Sequence, residues 1–187
     1  EFRRVLFRSE IAKPEEQTIT DSGGTRKVAV SKPAPVPHWS GATPEQQKMA
    51  DEVVAALIKS ADPEAPGTVY NRALARVVTM EDRKAVVPRV LNAMFELSKD
   101  VNANHDKLVQ LNGGMKNFTG FSVNYEPKGT GDAAKDKADR ESKIGQWFAF
   151  WYRYGNHLEK WVEIGESFEV TPEDKPGDKK DAPKPAK

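Results

Sequence analysis

The chain lacks several features that would assign it to a functional class directly. It has no cysteine among its 187 residues, which excludes disulfide frameworks, cysteine zinc sites and cysteine nucleophiles. No uninterrupted apolar run approaches the roughly 18 residues that a membrane-spanning helix needs, so the sequence predicts no membrane span. The formal net charge is only +1, from 29 Lys and Arg against 28 Asp and Glu residues. Because a dedicated nucleic-acid binder has a basic excess, we expect no nucleic-acid partner.

Motifs for catalysis, phosphate binding and metal binding are also missing from the sequence. The three histidines, His38, His105 and His157, stand far apart, and no two of them form the i,i+3 or i,i+4 pair of a helical metal site. No Gly-x-Ser-x-Gly elbow is present, and the glycine-rich stretches lack the spacing and the Lys-Ser/Thr pair of a P-loop. We therefore predict a protein that is not an enzyme and that needs no metal or cofactor.

The two ends of the chain differ in composition from its centre. Residues 1–9 read back in frame as a common sequencing adapter, so we interpret them as a translated artefact. Residues 10–42 have few large apolar side chains, and Lys32–Pro37 favours polyproline II, so we predict a flexible linker with at most a short strand at Thr25–Val30. Residues 166–187 are dominated by Lys, Asp and Pro and are predicted to be disordered.

Two capping-box patterns mark helix starts in the central region, residues 43–165. Thr43 is followed three residues later by Gln46, and a proline occupies the first helical position between them. Thr79 and Asp82 repeat the same spacing. Each pattern supplies side-chain partners for backbone N–H groups that the first turn of a helix leaves unsatisfied.

Apolar residues recur at helical spacing between these signals and beyond them. The predicted helices cover about 44–60, 68–78, 80–98, 103–118 and 139 onward. Pro88 lies inside the third of them, where it removes a backbone donor and predicts a kink or a restart of the helix. Five helices with almost no strand signal predict an all-α fold with flexible flanks.

Aromatic side chains are concentrated in the last predicted helix, where six of the eight residues from Trp147 to Tyr154 are aromatic. Their spacing allows several of them to be buried together as the end of the core. Exposed aromatic residues are also typical anchors of protein interfaces, and stacking on sugars or bases is a third option. The candidate interaction or capping residues are Trp147, Phe148, Trp151, Tyr152, Tyr154 and Trp161.

A pattern of residues in the second half of the chain resembles a known family. The residues are Phe118-Thr119-Gly120, Phe121, Tyr125-Glu126-Pro127, Arg140, Ile144, Trp147 and Phe150-Trp151. They resemble the C-terminal end of HEAT-repeat arrays in bacterial, planctomycete-like proteins, with Phe118 in place of a Leu and Glu126 in place of an Asp. The resemblance covers roughly residues 45–155. It implies a short α-solenoid fragment that is used for protein interaction and has no active site of its own.

Together these observations predict a non-catalytic protein-interaction or scaffold module of HEAT-repeat type with an unidentified protein partner. The alternatives are a helical small-ligand or carbohydrate-binding domain and an accessory domain of an enzyme upstream. A deep polar pocket with converging titratable groups would favour a small ligand, and two coplanar, exposed tryptophans would favour a carbohydrate. Because residues 1–9 are interpreted as an artefact, we expect the genuine chain to begin upstream of Glu10. Exported and cytoplasmic locations both stay open.

Overall fold

The structure is a computed structural model that describes residues 11–21, 24–125 and 128–155. In those ranges a two-stranded antiparallel sheet precedes five α-helices, with a short 3₁₀ helix between the third and the fourth. The elements are β1 Glu15–Asp21, β2 Gly24–Val30, α1 Pro44–Lys59, α2 Thr68–Ala75, α3 Met80–Leu97, α4 His105–Thr119 and α5 Ala133–Tyr154. The fold is therefore mostly helical, as predicted, but the sheet shows that it is not all-α.

The predicted capping boxes begin α1 and α3. The hydroxyl of Thr43 accepts a hydrogen bond from the N–H of Gln46 at 3.2 Å, and the Gln46 side chain accepts one from the N–H of Thr43 at 3.1 Å. Thr79 and Asp82 form the same reciprocal pair at 3.1 and 3.0 Å. These bonds satisfy backbone donors that have no partner within the helix. Both predicted helix starts are confirmed.

The third helix continues through its internal proline. α3 is a single helix from Met80 to Leu97, so the predicted alternative of a restart at Pro88 is wrong. Pro88 is buried, as are Val87 and Val90 on either side of it. Burial of this apolar stretch stabilises the helix enough to offset the backbone donor that proline lacks.

The hydrophobic core lies between α1, α3, α4 and α5. Where α4 meets α1, a Cβ added at Gly114 would lie 2.8 Å from a methyl carbon of Leu57, so glycine permits the close approach of the two helices. Lys143 and Phe148 are fully buried outside the predicted apolar spacing, but many other fully buried side chains fall at positions that it predicted. They include Val53, Leu57, Val90, Leu91, Met94, Leu108, Leu111, Met115, Ile144 and Trp147.

The N-terminal hairpin is the main departure from the sequence analysis. β1 and β2 pair antiparallel along their full length, and β2 packs against α5. Val28 is buried there, and the N–H of Ser31 donates to the carbonyl of Gly145 at 3.0 Å. The short strand predicted at Thr25–Val30 is confirmed. The prediction of a linker over residues 10–42 left out the pairing strand β1, because most of its side chains are exposed and it has no apolar alternation.

A buried ion cluster joins the hairpin to α5. The Lys143 side chain is fully buried, and its ammonium contacts the carboxylate of Asp21, which is only 4% exposed. Arg26 donates two hydrogen bonds to the same carboxylate, at 2.7 and 2.9 Å. Asp139 lies 3.8 Å from the ammonium. Because an unpaired charge is costly to bury, the mutual pairing of these groups fixes the hairpin on the helix.

Candidate functional site

Residues 31–42, which connect β2 to α1, lie against the helices, and we call them the docked segment. Val36 in the middle of this segment is only 3% exposed and belongs to the hydrophobic core. Ser31 at one end and Ala42 at the other are also buried. The sequence predicted this stretch to be part of a flexible linker, and its packing on the helices was not predicted.

A single side chain of α3 holds the backbone of the docked segment. Oδ1 of Asn92 accepts a hydrogen bond from the N–H of Val36 at 2.8 Å, and Nδ2 of Asn92 donates to the carbonyl of Val36 at 2.9 Å. A carboxamide has an N–H donor and a C=O acceptor side by side. Asn92 therefore pairs with both backbone groups of Val36, as a neighbouring β-strand would. Pro35 and Pro37 have no N–H, so between them only Val36 has a donor that requires a partner.

Charged groups lie beside the segment one turn earlier in α3. The Nε of Arg89 donates to Oδ1 of Asp51 on α1, and the Arg89 side chain is only 10% exposed. His38 is near enough to both for their charges to act on it. Desolvation and then the charge of Arg89 lower the pKa of His38, while Asp51 opposes them, and the net pKa is below the ordinary value. The site therefore favours a neutral group at this position.

The aromatic end of the docked segment lies near the start of α3. The ammonium of Lys84 is 5.5 Å from the centre of the Trp39 ring, within the range of a cation–π interaction. The indole also covers Gly41, where an added Cβ would lie 2.6 Å from a ring carbon. The N–H of Ala42 donates to the carbonyl of Trp39 at 3.3 Å and closes the turn that leads into α1.

These contacts give the docked segment a direction. Val36 meets Asn92 and Trp39 meets Lys84, so the segment runs antiparallel to α3. Eight residues of helix rise about 12 Å, and three residues of extended chain span about 10 Å, so the two spacings agree. The site holds the backbone of Val36 with a carboxamide at one point and an aromatic ring with a cation at the other.

The aromatic residues predicted as an interaction or capping face belong partly to the core. Trp147 and Phe148 are fully buried, and Nε1 of Trp147 donates to Oδ1 of Asn112 at 2.8 Å. Phe121 lies edge-on to the Trp147 ring with 5.2 Å between the centroids. Burial of Trp147 removes it from any exposed aromatic platform for a carbohydrate.

The other predicted aromatic residues lie nearer to the surface or outside the described ranges. Trp151 and Tyr154 are half-buried and pack against the core. Tyr152 is 47% exposed. Trp161 lies outside the described residues. Trp151, Tyr152 and Tyr154 belong to the end of α5, whereas the docked segment is held by α3, so these aromatic residues and the docked segment are separate features.

Two openings lie beside the hairpin and α5. A cleft of about 450 Å³ between the hairpin and α5 is lined by exposed charged side chains of both signs, including Lys13, Glu15 and Glu141. A smaller apolar cavity of about 40 Å³ lies beside β2 and α5 and includes Phe121 and Gln146 in its wall. Within the described ranges, no group of three or more His, Asp or Glu side chains is arranged to hold a metal ion. The same ranges contain no helix with the length and apolar character needed to cross a bilayer.

Sequence reasoning missed the residues that hold the docked segment, although one signal for them was present. Asn92 is the only polar residue in the stretch Val90–Met94, whose apolar members pack in or against the core. Polar groups near the core are nearly always hydrogen-bonded, so a lone amide there indicates a specific partner. Val36, enclosed by two prolines, was the matching signal in the other segment.

Known proteins give no further guidance at this point. No family model, curated protein or solved structure matches this chain. The geometry of the docked segment and its helices is therefore the basis for proposing a function.

Proposed function

We propose that the chain is a non-catalytic protein-interaction module that binds an extended protein segment along α3, and that residues 31–42 occupy this site within the same molecule. The observation that carries the proposal is the pair of hydrogen bonds between Asn92 and both backbone groups of Val36. Main-chain hydrogen bonds supply affinity in the recognition of extended peptides, and side-chain pockets supply specificity. Both elements are present here, because the Val36 side chain is also buried.

The arrangement of the helices supports a HEAT-like array as the scaffold of this site. α1 contacts α2, α3 contacts α4, and α1 also contacts α3 and α4, as expected for two helix pairs stacked side by side. We propose that α1 to α4 form such an α-solenoid fragment. The full burial of Trp147 and Phe148 supports a capping role for α5 at its end.

The proposal is tested by opening the site and supplying the segment in trans. In the full chain, Val36→Asp places a carboxylate in a buried position and should release the docked segment while leaving Asn92 in place. A labelled peptide with the sequence of residues 31–42 should then bind this variant in a fluorescence anisotropy titration. Its affinity for the wild-type chain should be lower by about tenfold or more. In that chain the tethered residues 31–42 compete for the site at millimolar effective concentration.

Two further substitutions make the test specific. Asn92→Leu, added to Val36→Asp, removes the carboxamide and should abolish peptide binding. Asn71→Leu is the matched control, since Asn71 is exposed on α2 and should leave binding unchanged. Circular dichroism monitors the helices, and the milder Val36→Ser replaces Val36→Asp if the latter unfolds. We call the Val36→Asp or Val36→Ser variant the opened chain. If the opened chain is folded but does not bind the peptide at millimolar concentration, the proposal is contradicted.

A further inference from the structure

The docked segment carries information about the class of partner that the site accepts. Its central residue, Val36, makes two kinds of contact. Asn92 hydrogen-bonds to its backbone, and its side chain is buried in the core and only 3% exposed. A long or charged side chain at this position would have to be buried or would force the backbone away from the carboxamide. The central position therefore selects a small aliphatic residue.

The prolines on both sides of this residue have a physical role in binding. Val36 precedes Pro37, and a residue before proline is restricted to extended conformations. In an extended residue the N–H and the carbonyl point to the same side, which is the geometry that a single carboxamide requires. Pro37 itself is half-buried and brings no N–H that would need a partner. A proline-flanked residue thus loses less conformational entropy on binding.

The aromatic ring defines a second point of recognition at a fixed distance. Trp39 follows Val36 by three residues and meets Lys84, while Asn92 and Lys84 stand two turns apart on α3. His38, between them, is partly desolvated and lies near Arg89, and both effects disfavour a positive charge there. The spacing of the two contact points on the helix therefore sets the spacing that a ligand must have.

We infer that the partner of this site is a proline-rich, extended segment of another protein, in which a small aliphatic residue lies between two prolines and an aromatic residue follows it three positions later. This inference rests on the proposed function. The segment binds antiparallel to α3, with the aliphatic residue at Asn92 and the aromatic ring at Lys84. Residues 31–42 are then an internal competitor that the partner must displace.

A peptide series on the opened chain tests this class. The probes are the peptide of residues 31–42 and variants of it, titrated into the full-length Val36→Asp chain, or into Val36→Ser if the first is unfolded. Val36→Lys in the peptide should weaken binding more than about a hundredfold, because a charge would be buried. Pro37→Ala and Trp39→Ala in the peptide should each weaken binding about twofold to fivefold. A scrambled peptide of equal composition should not bind.

A cycle of substitutions locates the aromatic contact on the protein. Lys84→Gln in the opened chain should weaken the unmodified peptide about twofold to fivefold and leave the Trp39→Ala peptide unaffected. Lys116→Gln, at an exposed position of α4, is the matched control and should change neither affinity.

The outcomes distinguish a failure of the ligand class from a failure of the proposed function. If all peptides bind the opened chain alike, including the scrambled one, the site binds extended segments but the ligand class is wrong. If none binds a folded, opened chain, the proposed function fails and the ligand class fails with it. A dimer of the wild-type chain in light scattering would assign the site to a second copy and overturn the assignment to a separate partner.

Discussion

Substitution of Lys143 by methionine measures how strongly the buried ion cluster holds the hairpin on α5. The Lys143 side chain is fully buried, and its ammonium contacts the carboxylate of Asp21, which is 4% exposed. Methionine keeps most of the volume of the aliphatic stem but removes the charge. The carboxylate then retains the two hydrogen bonds from Arg26 but loses the buried ammonium.

The magnitude follows from burial. Removal of one member of a buried ion pair costs about 3–5 kcal/mol, because the remaining charge stays in a medium that solvates it poorly. Since Arg26 still neutralises Asp21, we expect a loss at the lower end, about 3 kcal/mol. A matched control lies on the same helix: Lys137 pairs with Glu141 at 3.3 Å, and both side chains are about half exposed. Lys137→Met should therefore cost no more than about 1 kcal/mol.

The assay is equilibrium urea denaturation followed by tryptophan fluorescence, which gives the free energy of unfolding of each variant. Asp21→Asn should be destabilising by a similar amount to Lys143→Met. The double variant should lose less than the sum of the two, because it removes opposite charges from one buried site. If Lys143→Met and Lys137→Met agree within about 0.5 kcal/mol, the buried cluster does not stabilise the fold and the reasoning is refuted.

Three other predictions concern the core, the hairpin and the docked segment. Trp147→Ala should lower the free energy of unfolding by about 3–5 kcal/mol, since its ring is fully buried. Tyr152→Ala, at an exposed position, should change it by no more than about 0.5 kcal/mol. Equal losses in urea denaturation would contradict the assignment of Trp147 to the core and of Tyr152 to the surface. Gly145→Ala should cost about 1–3 kcal/mol by the same measurement, because the added Cβ would lie 2.9 Å from the carbonyl oxygen of Ser31; an unchanged midpoint would show that β2 does not approach α5 so closely. The docking of the segment should weaken as the solution is acidified, because partial desolvation and then a neighbouring arginine lower the pKa of His38. A lowered histidine pKa favours the neutral form in the docked state, so its contribution is complete above about pH 6.5 and is lost as the pH falls below that value. Hydrogen exchange of the segment's amides should follow this change, and His38→Gln should remove it; a dependence that survives His38→Gln would assign the effect to another group.

The helices could be predicted from the sequence because their determinants are local. The capping boxes at Thr43 and Thr79 act within one turn of chain, and both start helices as predicted. The apolar spacing likewise identified most of the buried positions of α1, α3 and α4. Local signals failed at Pro88, where burial outweighs the missing backbone donor. They also placed the start of α5 too late, because its first two turns, from Ala133 onward, are mostly exposed and have no large apolar side chain.

The hairpin and the docked segment were decided by tertiary structure. β1 has no apolar alternation, and its stability comes from pairing with β2 and from the contact of Asp21 with Lys143, 122 residues away in sequence. Val36 is separated from Asn92 by 56 residues. Composition predicted polyproline II for residues 32–37 within a flexible linker, and it gave no sign that this stretch would be buried. Whether an extended segment stays in solvent or packs on a helix depends on the side chains that folding brings opposite it, and these are set by the arrangement of the helices and not by the segment's own sequence.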